Sequence, residues 1–146
     1  MIVFLLIFVL FSNISQATEL ICKGEQTISY SDLPVPVETK LIALSVTFSS
    51  QSKSVSRMYS SDLDIRNCFD ENGMKDIHAC KCKVSDEQIL CTRFDENHDY
   101  FSSVKINRKT AIAYTTKKIK NIMGKIEGHI WYTSELDCKA FDKNQF

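Results

Sequence analysis

Along residues 40–48 the apolar positions fall on every second residue. Ile42, Leu44, Val46 and Phe48 alternate with Leu41, Ala43, Ser45 and Thr47. A period of two sends successive side chains to opposite faces of an extended chain, so this stretch predicts a strand with one face in a core. Other runs of the same kind recur at 27–30, 55–59, 62–69, 74–84, 88–94, 100–107, 111–120 and 125–133. In the later runs Tyr100, Ser102, Val104 and Ile106 share a side, and Ile126, Ile130 and Tyr132 oppose His129 and Trp131. Between the runs stand turn-forming residues: Pro34 and Pro36, the polar loop 49–54, Asp70-Glu71-Asn72-Gly73, Asp86-Glu87, the acidic loop 95–99 and Arg108-Lys109-Thr110. No stretch of the mature part carries the 3.6-residue apolar period of a helix. The pattern predicts an all-β antiparallel meander of about eight strands, forming a barrel or a sandwich. Short sequential connections favour a closed or nearly closed barrel.

The centre of this arrangement is Cys80-Lys81-Cys82-Lys83-Val84-Ser85-Asp86-Glu87-Gln88-Ile89-Leu90-Cys91. A two-residue turn at Asp86-Glu87 sets Val84 opposite Ile89, Lys83 opposite Leu90 and Cys82 opposite Cys91, because antiparallel partners keep a constant index sum. Directly opposed cysteines come near enough to bond. Cys80 then needs a partner from its other neighbouring strand, and Cys68 is the nearest in sequence. The rival pairing, Cys68 with Cys82 and Cys80 with Cys91, needs only a shifted register. Carrying the hairpin register through the loop 95–99 places Leu90 and Phe94 with Tyr100 and Val104, opposite the cystine. Apolar groups then stand on both faces, which calls for a bulge or a second covering layer.

Residues 1–17 read as a cleaved secretory leader: an apolar run from Ile2 to Phe11, then a polar segment with small residues at Ser15 and Ala17. The run is too short for a membrane span, so none is expected once it is removed. Residues 18–146 then make one β domain, periplasmic or secreted, and the absence of an Asn-x-Ser/Thr sequon after Thr18 leans towards the periplasm. Six cysteines, an even number, fit an oxidising compartment. With 18 basic and 18 acidic side chains the chain is formally neutral, which argues against bulk attraction to nucleic acid or to anionic membrane.

Candidate chemistry is sparse. Cys68, Cys80, Cys82 and Cys91 resemble a zinc set in number but not in the paired spacing such sites use, and disulfides are the better reading. The loop Asp95-Glu96-Asn97-His98-Asp99 opens like a calcium loop, with oxygens at positions 1, 3 and 5. Tyr100 then stands where glycine is needed, and Ile106 where a bidentate Glu is needed. His78, His98 and His129 show no metal-ligand spacing. No metal or cofactor is therefore expected. Paired carboxylates, Asp62 with Asp64 or Asp95 with Asp99, would suit a small hydrolase. The basic cluster Lys117-Lys118-Ile119-Lys120, together with Tyr114, Trp131 and Tyr132, offers instead a patch for a protein or an envelope glycan, or simply a lysine-guarded edge strand. A rigid cystine scaffold without a catalytic signature favours a non-enzymatic binding module, with Tyr114, Lys117, Lys118, Trp131 and Tyr132 as its candidate patch. Periplasmic lysozyme inhibitors are also small cystine-tied β-barrels, but the Ser-Gly-x-x-Tyr loop of that kind is missing here, so that likeness is one of fold alone.

Leu20-Ile21-Cys22-Lys23-Gly24, Ile106-Asn107-Arg108-Lys109-Thr110 and Leu136-Asp137-Cys138-Lys139-Ala140-Phe141 together resemble a group of small exported bacterial proteins of unknown function. That group shows Cys-x-Gly near the start, an Asn/Asp-Arg-x-Thr-Gly turn and a cysteine close to the C-terminus. Ala111 stands here where the group has glycine. The resemblance implies an extracytoplasmic location and a terminal cystine, Cys22 to Cys138, and carries no activity. The same two cysteines are left over if the other four pair locally.

Overall fold

The computed structural model describes residues 17–61 and 80–141. They form β1 (Thr18–Ser31), β2 (Glu38–Ser49), β3 (Ser54–Ser60), β4 (Lys81–Val84), β5 (Gln88–Asp95), β6 (Tyr100–Asn107), β7 (Ile112–Met123) and β8 (Ile126–Ala140). The sheet order is β3-β2-β1-β8-β7-β6-β5-β4, antiparallel throughout. Sequence neighbours pair as hairpins, and the first and last strands pair with each other. Among the described residues an up-and-down meander whose ends meet in this way leaves one seam, between β3 and β4, and the sheet is a nearly closed barrel. The expected leader (except Ala17), the strand at 62–69, the turn at 70–73 and the first part of the run at 74–84 lie outside the described residues. Among the described residues no helix is long and apolar enough to cross a membrane.

The central hairpin has the expected register: Lys83 faces Leu90, Val84 faces Ile89 and Cys82 faces Cys91. Its turn is closed by Ser85, whose amide donates to the Gln88 carbonyl at 2.9 Å and whose Oγ accepts from the Gln88 amide at 3.1 Å. Cys82 and Cys91 form a disulfide, and so do Cys22 and Cys138, which stand directly opposite each other on β1 and β8. Cys80 is also disulfide-bonded, and its expected partner Cys68 lies outside the described residues.

The register carried across the loop 95–99 is different from the expectation, and the difference removes the conflict of two apolar faces. Asp95 pairs with Tyr100, Cys91 with Val104 and Ile89 with Ile106, so the apolar side of β6 joins the cystine face. Four residues, Glu96 to Asp99, make the connection, with Asp99 in the left-handed region at φ 46°. A shift of one residue exchanges the faces of a whole strand. Phe94 therefore points out, 63% exposed, while Val104 and Ile106 are buried. The strands β1 and β8 are also longer than the patterns at 27–30 and 125–133 suggest, because their inward positions are partly polar or glycine and break the apolar alternation.

Inside, the barrel is layered along its axis. At the end that carries the turns 49–54 and 107–112, Leu44, Val46, Met58, Ile89, Ile106 and Leu136 pack with the Cys22–Cys138 and Cys82–Cys91 cystines into the main core. At the other end Leu33, after β1, covers Ile28 and Ile130. This needs a glycine below it, since a Cβ on Gly128 would stand 2.3 Å from the Ser31 carbonyl oxygen. Between the two apolar layers runs a polar belt of buried Gln26, Ser102, Thr115, Lys117 and Ser134. The Thr115 and Ser134 hydroxyls hydrogen-bond each other, and the Lys117 ammonium lies 4.2 Å from the Tyr132 ring centroid. Among the described residues neither polar atom of the Gln26 amide has a hydrogen-bond partner.

The Asn107-Arg108-Lys109-Thr110 turn fastens the end that holds the main core. Asn107 Oδ1 accepts from the amides of Lys109 and Thr110 at 2.9 and 3.1 Å. Arg108 lies over the Phe48 ring and donates to the Ser85 carbonyl at 2.6 Å and to Ser50 Oγ at 2.8 Å, tying three turns together. Ala111 follows at φ 56°, the left-handed conformation that favours glycine. The Asn107-Arg108-Lys109-Thr110 turn thus has a structural role here.

Candidate binding face

The five residues of the sequence-derived patch divide between two sides of the sheet. On β7 and β8 the pairs Lys118–Trp131 and Tyr114–Glu135 point outward, whereas the pair Lys117–Tyr132 points into the barrel. Adjacent residues of a strand cannot share a face. Lys117 is 4% exposed and belongs to the interior belt, so Tyr114, Lys118 and Trp131 are the members on the outer face. The strand β7 lies between β6 and β8, so its lysines do not guard a sheet edge.

Register extends these three into ordered rows across the outer surface. One row runs Phe94, Phe101, Lys118, Trp131 and Ser29 over β5, β6, β7, β8 and β1. The Lys118 ammonium lies 5.8 Å from the Trp131 ring centroid. Beside it runs Thr92, Ser103, Thr116, Thr133, Thr27 and Thr39, one hydroxyl on each of six neighbouring strands. Among the described residues none of these six side chains is engaged in a hydrogen bond. A third row carries Lys83, Leu90, Lys105, Tyr114, Glu135 and Glu25. Tyr114 is 44% exposed. An open groove of about 650 Å³ follows the hydroxyl row on β1, β8 and β7, lined by Thr27, Thr116 and Thr133 with Tyr114, Glu25 and Glu135. Phe94 and Phe101 were not assigned to the patch from sequence. They join it through the β5–β6 register, which depends on the conformation of one loop.

At the top of the aromatic row the loop 95–99 is held by two acid–imidazole contacts. Asp95 Oδ2 and His98 Nδ1 are 2.7 Å apart, and the Asn97 amide donates to Asp95 Oδ1 at 3.0 Å. Asp99 accepts from Lys118 Nζ at 3.0 Å and bonds His129 Nε2 at 2.6 Å. The His129 contact, with Lys118 second, holds the Asp99 carboxyl below the usual carboxylate range, and the His98 contact does the same for Asp95. A carboxylate working as a general acid needs a shift in the other direction. The Asp95 and Asp99 carboxylates of the calcium-like loop are turned towards nitrogen donors, and the described residues contain no group of three or more acid, histidine or cysteine ligands arranged for a metal. Asp62, Asp64 and His78 lie outside the described residues. No family model matches the chain, no curated protein matches it, and no solved structure matches it.

Proposed function

We propose that the protein is an extracytoplasmic binding module that engages an envelope glycan or a protein through the outer face of β5–β8. The observation that carries this reading is the row of aromatic side chains, Phe94, Phe101 and Trp131, set beside a row of unengaged hydroxyls on a disulfide-fastened sheet. Aromatic rings supply contact area at little entropic cost, and free hydroxyls supply adaptable donors and acceptors. Both stand on strands whose registers are fixed by long antiparallel ladders, so little ordering is needed on binding. Disulfides belong to oxidising compartments, which supports periplasmic or secreted placement. With their carboxyl pKa values held down by His98 and His129, neither Asp95 nor Asp99 is poised to be the general acid of a hydrolase.

Trp131 is the sole tryptophan, so its emission reports directly on this face. Titration with soluble polysaccharides and with peptides from envelope proteins is expected to give a saturable change with at least one class. Phe94→Ser is expected to weaken that binding about tenfold, the loss of one exposed aromatic contact. A saturable response unaffected by Phe94→Ser, or one whose binding site maps to the barrel ends, contradicts the proposal.

A further inference from the structure

The formal charge of the chain is zero, yet the outer surface is not neutral. The outward positions of β4 to β7 carry Lys81, Lys83, Lys105, Lys118 and Lys120, and no Asp or Glu. The outward positions of β8 and β1 carry Glu127, Glu135, Asp137, Glu19 and Glu25 against only Lys139, Lys23 and His129. Within the basic half, Lys118 is paired with Asp99 and Lys120 with Glu127. Lys81, Lys83 and Lys105 have no ion pair with any described residue. Lys81 and Lys83 lie on the seam strand, where lysine also blocks edge pairing. Lys105 lies on β6, inside the sheet, where that explanation fails. Lys83 and Lys105 flank Leu90 in one row, two strands and so roughly 10 Å apart.

We infer that the binding face takes an acidic polysaccharide, a chain of sugars bearing carboxylates or sulfates, laid across β4 to β7. This inference rests on the binding-face reading above and adds the charge of the ligand. The unpaired lysines meet the anionic groups, the hydroxyls of Thr92, Ser103 and Thr116 meet the sugar hydroxyls, and Phe94 and Phe101 offer rings to the apolar faces of the sugars. An acidic peptide has no use for a hydroxyl row of this length, and an anionic bilayer needs no aligned rows. A ladder of neighbouring strands repeats its side chains at a constant spacing, which suits a ligand that is itself a repeat.

The test is Trp131 emission with four probes: polygalacturonate, dextran, polyglutamate, and vesicles of phosphatidylglycerol. Polygalacturonate is expected to saturate the signal and to weaken about tenfold from low to physiological salt, as screening removes the charge contacts. Lys83→Ala and Lys105→Ala, both at exposed positions, are each expected to weaken it about threefold. Lys23→Ala, on the acidic half, is expected to leave it unchanged. Equal affinity for dextran without salt dependence overturns the charge inference and leaves the binding face standing. Equal or tighter binding of polyglutamate or of the vesicles overturns the assignment to a glycan. Silence towards all four overturns this inference, and silence that extends to the wider polysaccharide and peptide panel overturns the binding face with it.

Discussion

Removing the cystine between Cys22 and Cys138 is expected to cost more stability than removing the one between Cys82 and Cys91, although both pack against the main core and both join directly opposed residues of neighbouring strands. The bonds differ in the length of chain they close: the partners are 116 residues apart in one case and 9 in the other. In the chain-entropy treatment the unfolded state gains freedom with the logarithm of that length, giving about 5 kcal/mol for the long loop and about 2.5 to 3 kcal/mol for the short one. Each Cys-to-Ala pair also leaves a small void, which adds a comparable amount to both and cancels in the difference. The difference of about 2 kcal/mol is therefore the quantity to measure. Urea denaturation of Cys22→Ala/Cys138→Ala and of Cys82→Ala/Cys91→Ala, with equal m-values, gives it directly. A domain of ordinary stability, about 5 to 15 kcal/mol, is brought near its limit by the first variant and not by the second. Equal losses, or a larger loss for the hairpin pair, refute the reasoning. They would mean that closing β1 on β8 is secured by the strand ladder alone.

Other expectations follow from single residues. Gln26 is fully buried with both amide atoms unpartnered, so the near-isosteric Gln26→Met is expected to stabilise the barrel by about 1 to 3 kcal/mol in the same denaturation assay. A destabilisation would show that the amide has a partner in solution. Ala111→Gly is expected to add about 0.5 to 1 kcal/mol, because relief of the left-handed strain exceeds the extra entropy of the unfolded chain. The folded-state pKa of Asp99 is lowered, so its contribution is present above the unfolded value near 3.8 and is lost as pH falls through the folded one. The stability gap between the wild type and Asp99→Asn is thus expected to close below about pH 4. A gap that persists at lower pH contradicts the assignment.

The parts of the fold that were legible in the sequence are those set by local spacing. Asp86-Glu87 between alternating residues specifies the central hairpin, and its pairs follow by counting. The strand through Ile42, Leu44, Val46 and Phe48 is equally plain, since its inward positions from Ile42 to Phe48 are all apolar. The β5–β6 register was not legible, because it turns on whether Asp99 adopts a left-handed conformation and so how many residues the loop consumes. In β1 the inward positions include Gly24 and Gln26, which interrupt the apolar alternation and hide most of a 14-residue strand. The binding patch was half legible. Tyr114, Lys118 and Trp131 cluster by sequence, but Lys117 and Tyr132 share the opposite parity and point into the barrel. The hydroxyl row has no local signature at all. Its members come from six strands and align only once every register is known.

The location of binding is tested most directly by amide chemical-shift mapping of the uniformly labelled protein with a short galacturonate oligomer. The perturbed amides are expected to fall on β5, β6 and β7, around Thr92, Phe101, Ser103, Lys105 and Thr116, with the Trp131 indole shifting in parallel. Shifts confined to the barrel interior around Gln26 and Lys117, or to the turns at 49–54 and 107–112, would contradict the account.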